Sequence, residues 1–217
     1  MARNPQLDAT NPNRDTFLSK STPTQGLAVR IVTGTYRGRQ IPSGQRLRQI
    51  RLTSTRLKEA VFSMLGPNLK GRTFLDLCAG SGQMGLEALS RGASVELNEP
   101  DHRRRRQIRS LLYQWRAGVA GLHSVKAQHL IPQLVAAGRR FDIVYVDPPY
   151  HARYCGAPLL LGLIEALGGS PLFNDEGLLF VQHQIDLDVP EQSGHLALTQ
   201  QRTYGNTTLS IYRHLIP

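Results

Sequence analysis

The run Phe141-Asp142-Ile143-Val144-Tyr145-Val146-Asp147-Pro148-Pro149-Tyr150 constrains the fold of this chain more than any other stretch. Residues 141–146 are mostly β-branched or aromatic and read as a buried strand. Proline fixes its own φ and has no N–H for a sheet ladder, so the strand must stop in a rigid, extended turn. A turn at the carboxyl end of a strand is where open α/β sheets place their ligands. Here it would hold one carboxylate (Asp147), one carbonyl (Pro148) and one aromatic face (Tyr150). That group suits a flat molecule with an NH₂ edge: two acceptors for two N–H bonds and a ring to stack on. Read without a ligand, the same residues are a Pro-Pro turn capped by an acid.

A second stretch points to the same architecture. Thr73 to Leu77 is a short apolar strand that runs through Cys78 and Ala79 into Gly80-Ser81-Gly82. A helix is expected from there through Leu89, ending at Gly92. Glycines at such a turn let backbone approach a ligand at a helix N-terminus. The next strand, Ala93 to Leu97, leads to Glu99, an acid placed to accept both hydroxyls of a ribose. Gly80-x-Gly82-x-x-Gly85 also fits a dinucleotide fingerprint, which makes NAD(P) a competing ligand. Asp76 argues against it, because an acid at the end of the first strand would sit where a pyrophosphate must go. It suits a ligand with a positive amino-acid end, such as S-adenosylmethionine.

At 217 residues the chain is long enough for one large domain, or one domain with an appendage. No apolar run approaches a membrane span, and the N-terminus has no apolar stretch of the signal-peptide kind, so a cytoplasmic protein is expected. Cys78 and Cys155 make no disulfide framework and read as small buried side chains. The histidines show no ligand spacing with them, so no metal is assigned. The net charge of +10 and pI of about 10.2 favour a polyanionic partner. Between Val29 and Ala60 there are eight basic residues and one acid, Glu59.

The chain then divides as follows. Residues 1–26 are polar and Pro-rich, and a disordered tail is expected. Residues 27–70 form a basic extension. It would open with a strand at 28–32, turn between Gly34 and Gly38, and return at Gln40-Ile41-Pro42. Arg30, Arg37, Arg39, Arg51 and Arg56 could hold phosphates and Tyr36 could stack on a base; the alternative is a solvated charged hairpin. A helix is expected over 53–65, with Thr53, Ser54 and Thr55 as cap candidates. Residues 71–217 would be the catalytic domain. Within it, Pro100 opens a helix whose run Arg103 to Arg106 reads as a solvated face, since consecutive residues point around a helix. His123 to Ala127 reads as a strand, followed by Gln128, either an adenine-edge ligand or a polar strand end. A helix follows over 130–137. His151 to Gly156 reads as a mobile lid, Leu159 to Leu167 as a helix, and Gly177 to Val181 as a strand. Leu196–Gln201 and Thr207–Tyr212 read as an antiparallel pair at the sheet edge.

Taken together these motifs resemble the RsmD-type methyltransferases, which transfer methyl from S-adenosylmethionine to N2 of a guanine in bacterial small-subunit (16S) ribosomal RNA. The resemblance runs from about Val29 to the C-terminus. It is carried by Arg30 to Arg39, by Arg51 to Leu65, by Leu75 to Gly82 with Gly85 to Gly92, and by Asp147-Pro148-Pro149-Tyr150. It implies a class I α/β fold, a doubly wound, mostly parallel sheet with an antiparallel terminal hairpin. It implies cofactor contacts from Asp76, Cys78, Ala79, Gly80, Ser81, Gly82, Glu99 and Gln128. Asp147, Pro148, Pro149 and Tyr150 would be catalytic, and the substrate would be ribosomal RNA in a small-subunit particle, met by a monomer. The chain departs from the family pattern at Leu52 (usually proline), at Ser54-Thr55 (usually Thr-Asp) and at Gln182-His183 (usually glutamates). Other readings of the same residues are adenine-N6 methylation of DNA or RNA, a non-catalytic RNA-binding assembly factor, and an NAD(P)-dependent oxidoreductase.

Overall fold

The computed structural model describes residues 28–42 and 55–215. The expected tail, the cap candidates Thr53 and Ser54, and the departure at Leu52 lie outside them, as does Arg51. Two short strands, β1 (Ala28–Arg30) and β2 (Gln40–Pro42), pair antiparallel. Helix α1 (Thr55–Leu65) follows. The rest alternates: β3 (Thr73–Asp76), α2 (Gln83–Ser90), β4 (Ser94–Asn98), α3 (His102–Trp115), β5 (Gly121–His123), α4 (Ala127–Ala136) and β6 (Phe141–Val146). A small hairpin, β7 (Arg153–Tyr154) and β8 (Ala157–Pro158), leads to α5 (Leu159–Gly168). β9 (Phe173–Gln184), β10 (Gln192–Ser193), β11 (Leu196–Tyr204) and β12 (Thr207–His214) complete the chain.

One eight-stranded sheet runs in the order β10-β11-β12-β9-β6-β3-β4-β5. The five strands from β9 to β5 are parallel, and β12, β11 and β10 are antiparallel. The central strands β3, β4 and β6 are largely apolar because both faces are covered, with Asp76, Glu96, Asn98 and Asp142 as the charged or amide exceptions. In β6, Ile143 and Tyr145 face one core, Val144 and Val146 the other. The first core takes α2 and α3, and also Ile31, Ile41, Leu57, Val61 and Phe62 from the hairpin and α1. The second takes α4 and α5. The strand order reverses between β3 and β6, so their carboxyl ends open on the crevice where such folds bind ligands.

Several expected elements differ. The strand expected at 123–127 is β5, ending at His123, because its partner β4 ends at the paired Asn98. Residue 127 already opens α4, so Gln128 lies in a helix's first turn, not at a strand end. Pro100 does not open α3; Asp101 caps it, its side chain accepting from the Arg104 N–H at 2.9 Å. The segment expected as a mobile lid is the ordered β7–β8 hairpin. Cys155 and Gly156 take positive φ at its turn, the backbone that matches strand twist, and Cys155 is exposed, not buried. The antiparallel pair does stand at one end of the sheet, as β11 and β12, with only the two-residue β10 outside it. Among the described residues no helix is long and apolar enough to cross a membrane.

Candidate active site

The glycine loop is held between the ends of β3, β4 and β6. The Leu77 N–H donates to the Tyr145 carbonyl at 3.0 Å and the Ala79 N–H to the Asn98 carbonyl at 2.9 Å. Gly80 and Gly82 take φ of 55° and 81°, the left-handed region that glycine enters at little cost. Gly82 starts α2 with no side-chain cap, so the helix's first N–H groups point out of the loop. Gly85 has no room for a side chain: a Cβ there would stand 2.4 Å from Leu97 Cδ2. That close packing brings the Gly85 N–H to Asp76 Oδ2 at 2.9 Å.

Asp76 is 1% exposed, and its Oδ1 has no hydrogen-bond partner. Burial pushes its carboxyl up to about 7, against the pull of the Gly85 N–H; the Glu99 carboxylate pushes the same way. Glu99 follows β4. Its Oε1 accepts from the Asp101 N–H at 2.8 Å and its Oε2 stands 3.9 Å from Arg104. Burial also raises this carboxyl, opposed by the Asp101 N–H and the Arg104 guanidinium. Two more buried acceptors are unpartnered, Gln83 Oε1 and Asn98 Oδ1, both beside the loop. Unpaired buried acceptors are costly and rare in native proteins. Three of them flanking one glycine loop fit a ligand that brings donors, as the ammonium and hydroxyls of S-adenosylmethionine would. The sequence reading named neither Gln83 nor Asn98, although each directly adjoins a named residue.

Asp147 lies at the same crevice. Its backbone N–H reaches the Cys78 thiol, which burial and then the Asp76, Asp147 and Glu99 carboxylates hold well above its ordinary value. Cys78 thus joins the glycine loop to the Asp-Pro-Pro-Tyr turn, and three carboxylates converge in a protein of net charge +10. A cationic ligand suits that local field. Beyond Asp147 lies a cleft of about 170 Å³ lined by Pro148, Pro149 and Tyr150, by Arg153 of β7, and by His183, Gln184 and Asp186. The Tyr150 hydroxyl lies 3.5 Å from Thr207 Oγ1. Where the family pattern has glutamates, Gln182 accepts from the Tyr145 hydroxyl at 2.8 Å. His183 Nε2 meets Ser210 Oγ at 2.7 Å, and burial lowers its pKa.

The family model described as "Conserved hypothetical protein 95" matches residues 29–213. Ribosomal RNA small subunit methyltransferase D of Escherichia coli is 31% identical over 186 residues, 85% of this chain and 89% of its own length. The chain belongs to the RsmD-type family of S-adenosylmethionine-dependent methyltransferases. The structure of the Escherichia coli protein yhhF superposes with a TM-score of 0.72 at 28% identity, covering 87% of this chain and 98% of that one. The 16S rRNA N2 methyltransferase RsmC of Thermus thermophilus, solved with AdoMet and guanosine, gives 0.64 over 88% of this chain and 50% of its own. At 20% identity that likeness concerns the fold.

The fold of this family member brings Asp76, Cys78 and Glu99 together around the Ala79–Gly82 turn at the carboxyl ends of β3 and β4, with Asp147 beside Cys78. Gln128 sits at the same end of the sheet. The basic extension is arranged differently from a set of free arginines. Tyr36 is no open platform: it stacks on Trp115 with centroids 5.4 Å apart, and the Arg39 guanidinium lies within 6 Å of both rings. Lys58, one of the eight basic residues of that segment, is buried against Glu87. Arg30, Arg37, Arg39 and Arg56 are exposed.

Proposed function

We propose that the protein transfers the methyl group of S-adenosylmethionine to the exocyclic N2 of a guanine in small-subunit ribosomal RNA. The observation that carries this reading is the Asp147-Pro148-Pro149-Tyr150 turn, joined through Cys78 to the Asp76 loop across the switch between β3 and β6. The relatives named as ribosomal RNA small subunit methyltransferases support that RNA as the substrate, and guanine rather than adenine is what the whole-chain resemblance to the family implies. We infer that the enzyme works in the bacterial cytoplasm as a monomer on an assembling small-subunit particle, with the 27–70 segment adding RNA contacts to the 71–217 domain.

S-adenosylmethionine supplies an electrophilic methyl on a sulfonium. Asp76 would hold its ammonium group, the Gly80–Gly82 backbone its carboxylate end, and Glu99 its ribose hydroxyls. The guanine amine is a poor nucleophile because its lone pair is delocalised into the ring. The Asp147 carboxylate and the Pro148 carbonyl would each accept one of its N–H bonds. That turns the lone pair towards the methyl and stabilises the positive charge growing on nitrogen. Asp147 Oδ would accept the proton that the nitrogen gives up on receiving the methyl group. Tyr150 would stack on the base and hold it in line.

Single-turnover methyl transfer to small subunits lacking the modification, followed by nucleoside mass spectrometry, tests this. N2-methylguanosine is the expected product; a methylated adenosine would overturn the substrate. Asp147→Ala should keep cofactor affinity and lower turnover about a hundredfold, the effect of one lost charged acceptor at about 3 kcal/mol. Asp147→Asn should fall between, since its amide oxygen still accepts. Full activity in Asp147→Ala would overturn the mechanism.

A further inference from the structure

Helix α3 sorts its arginines. Arg104 turns towards Glu99 Oε2, and Arg105 donates to the Glu99 and Pro100 carbonyls at 3.0 and 3.1 Å. Ile108, Leu111, Leu112 and Trp115 are buried. Arg103, Arg106, Arg109 and Tyr113 are exposed, at spacings of three, three and four residues, so they share one face. That face is about 15 Å long. Two features set it apart from an ordinary solvated helix. No Asp or Glu occurs between Asp101 and Asp142, so beyond the N-cap Asp101, which faces Arg103, no acid of the helix can pair with this face. And Tyr113, a large aromatic ring, is 86% exposed at the C-terminal end of this charged face.

The face also continues into the basic hairpin. Gln107 Nε2 donates to the Pro42 carbonyl at 2.6 Å, Arg39 NH1 reaches the Gln114 carbonyl at 3.4 Å, and Tyr36 stacks on Trp115. These contacts fix Arg37 and Arg39 beside α3. The N-terminal end of the helix abuts Glu99, so the basic face begins beside the acid proposed to hold the ribose. A membrane would require an apolar stripe, and a protein interface is depleted of such charge at its core. Arginines with an adjoining aromatic match single-stranded or looped RNA: guanidinium groups on phosphates and a ring on an unstacked base.

We propose that the outer face of α3 is an RNA-docking surface, with Arg103, Arg106 and Arg109 on phosphates and Tyr113 stacked on an unpaired base. It rests on the reading that the substrate is ribosomal RNA, and it is separate from the base-binding cleft. The test uses the full chain, a protein-free 16S ribosomal RNA transcript and small subunits lacking the modification. Reversal of three charges (Arg103→Glu, Arg106→Glu, Arg109→Glu) should weaken transcript binding. It should lower the slope of log K against log salt by about two to three, since each phosphate contact contributes about 0.7–0.9. The KM for subunits should rise while kcat and S-adenosylmethionine affinity hold. Tyr113→Ala should weaken transcript binding about fivefold or more, and Tyr113→Phe should restore it, because stacking needs the ring and not the hydroxyl.

An unchanged salt slope and KM in the reversal variant, with a wild type that makes N2-methylguanosine, overturns the docking surface and leaves the proposed reaction standing. Loss of transcript binding in the variants with a different wild-type product supports the surface and overturns the reaction. Weakened binding to particles with unchanged binding to the transcript would make the face a contact for ribosomal protein, and overturns the RNA assignment.

Discussion

Asp76 and Glu87 are both buried carboxylates within one strand and one helix of each other, and they are treated in opposite ways. Glu87 on α2 is saturated. It accepts from the Val32 and Thr33 N–H groups at 2.8 and 3.1 Å and from Arg91 at 3.0 and 3.1 Å, and Lys58 Nζ lies 3.4 Å away. Lys58 also donates to the Arg30 carbonyl and Arg91 to the Gly66 carbonyl. The carboxylate therefore ties the hairpin, α1 and α2 together. Asp76 is left half-satisfied, with one oxygen bare and a second acid nearby. A buried charge that is fully paired belongs to the architecture; one left short of donors is reserved for something that arrives later.

Substitution can break that comparison. The largest effect should come from Glu87→Ala, which leaves the buried Lys58 without its counter-ion and two part-buried backbone N–H groups without their acceptor. A loss of about 3–5 kcal/mol in urea unfolding is expected. A loss below 1 kcal/mol would mean that the tie is incidental. Asp76→Asn should do the reverse. It removes a destabilising buried charge, so the ligand-free protein should melt higher at pH 8, while calorimetry should show S-adenosylmethionine binding weakened by about 1.5–3 kcal/mol. A lower melting temperature in that variant would class Asp76 with Glu87.

Acidity sharpens the same contrast. The folded Asp76 carboxyl titrates at about 7, above its ordinary 3.8. Its protonated form therefore favours the ligand-free fold below about pH 4, and that contribution disappears as pH rises through 7. Holding an ammonium needs the ionised form, so cofactor affinity should fall about tenfold per unit below pH 7 and level off above it. A flat affinity between pH 5.5 and 8 would remove Asp76 from the binding site. The smallest effect should come from Arg72→Ala. Arg72 is 62% exposed and pairs with Asp142 at 3.5 Å, while Thr73 already holds that acid from its N–H and hydroxyl. The change in unfolding free energy should stay within about 0.5 kcal/mol.

The sequence made Asp76 readable and left Glu87 opaque, for a physical reason. Asp76, the glycine turn and Asp147 to Tyr150 each lie where one strand gives way to a turn, and local backbone rules govern those junctions. Glu87 gains its role from Val32, Thr33 and Lys58, residues far away along the chain. The same holds for Tyr36, whose ring looked available until Trp115 was brought to it. The boundary error at His123–Ala127 arose because strand length is set by the partner strand, which periodicity does not report. β9 extends past its expected five residues because β12 pairs with it from Leu178 to Gln184. In α3, charge alone suggested a uniform solvated run. Burial shows which arginines turn inward and which stay out.

The position of β12 has a consequence for biosynthesis. The last strand of the sheet closes the flank of β9, so Leu179, Phe180 and Val181 have no ladder partner on that side until residues 207–214 have been made. On the ribosome, the nascent chain would carry an apolar strand with an open edge in the interval between the making of β9 and that of β12, the kind of segment that invites pairing between chains. A message truncated just before Thr207 should therefore yield insoluble polypeptide and no smaller working enzyme, which sedimentation of the expressed fragment would show.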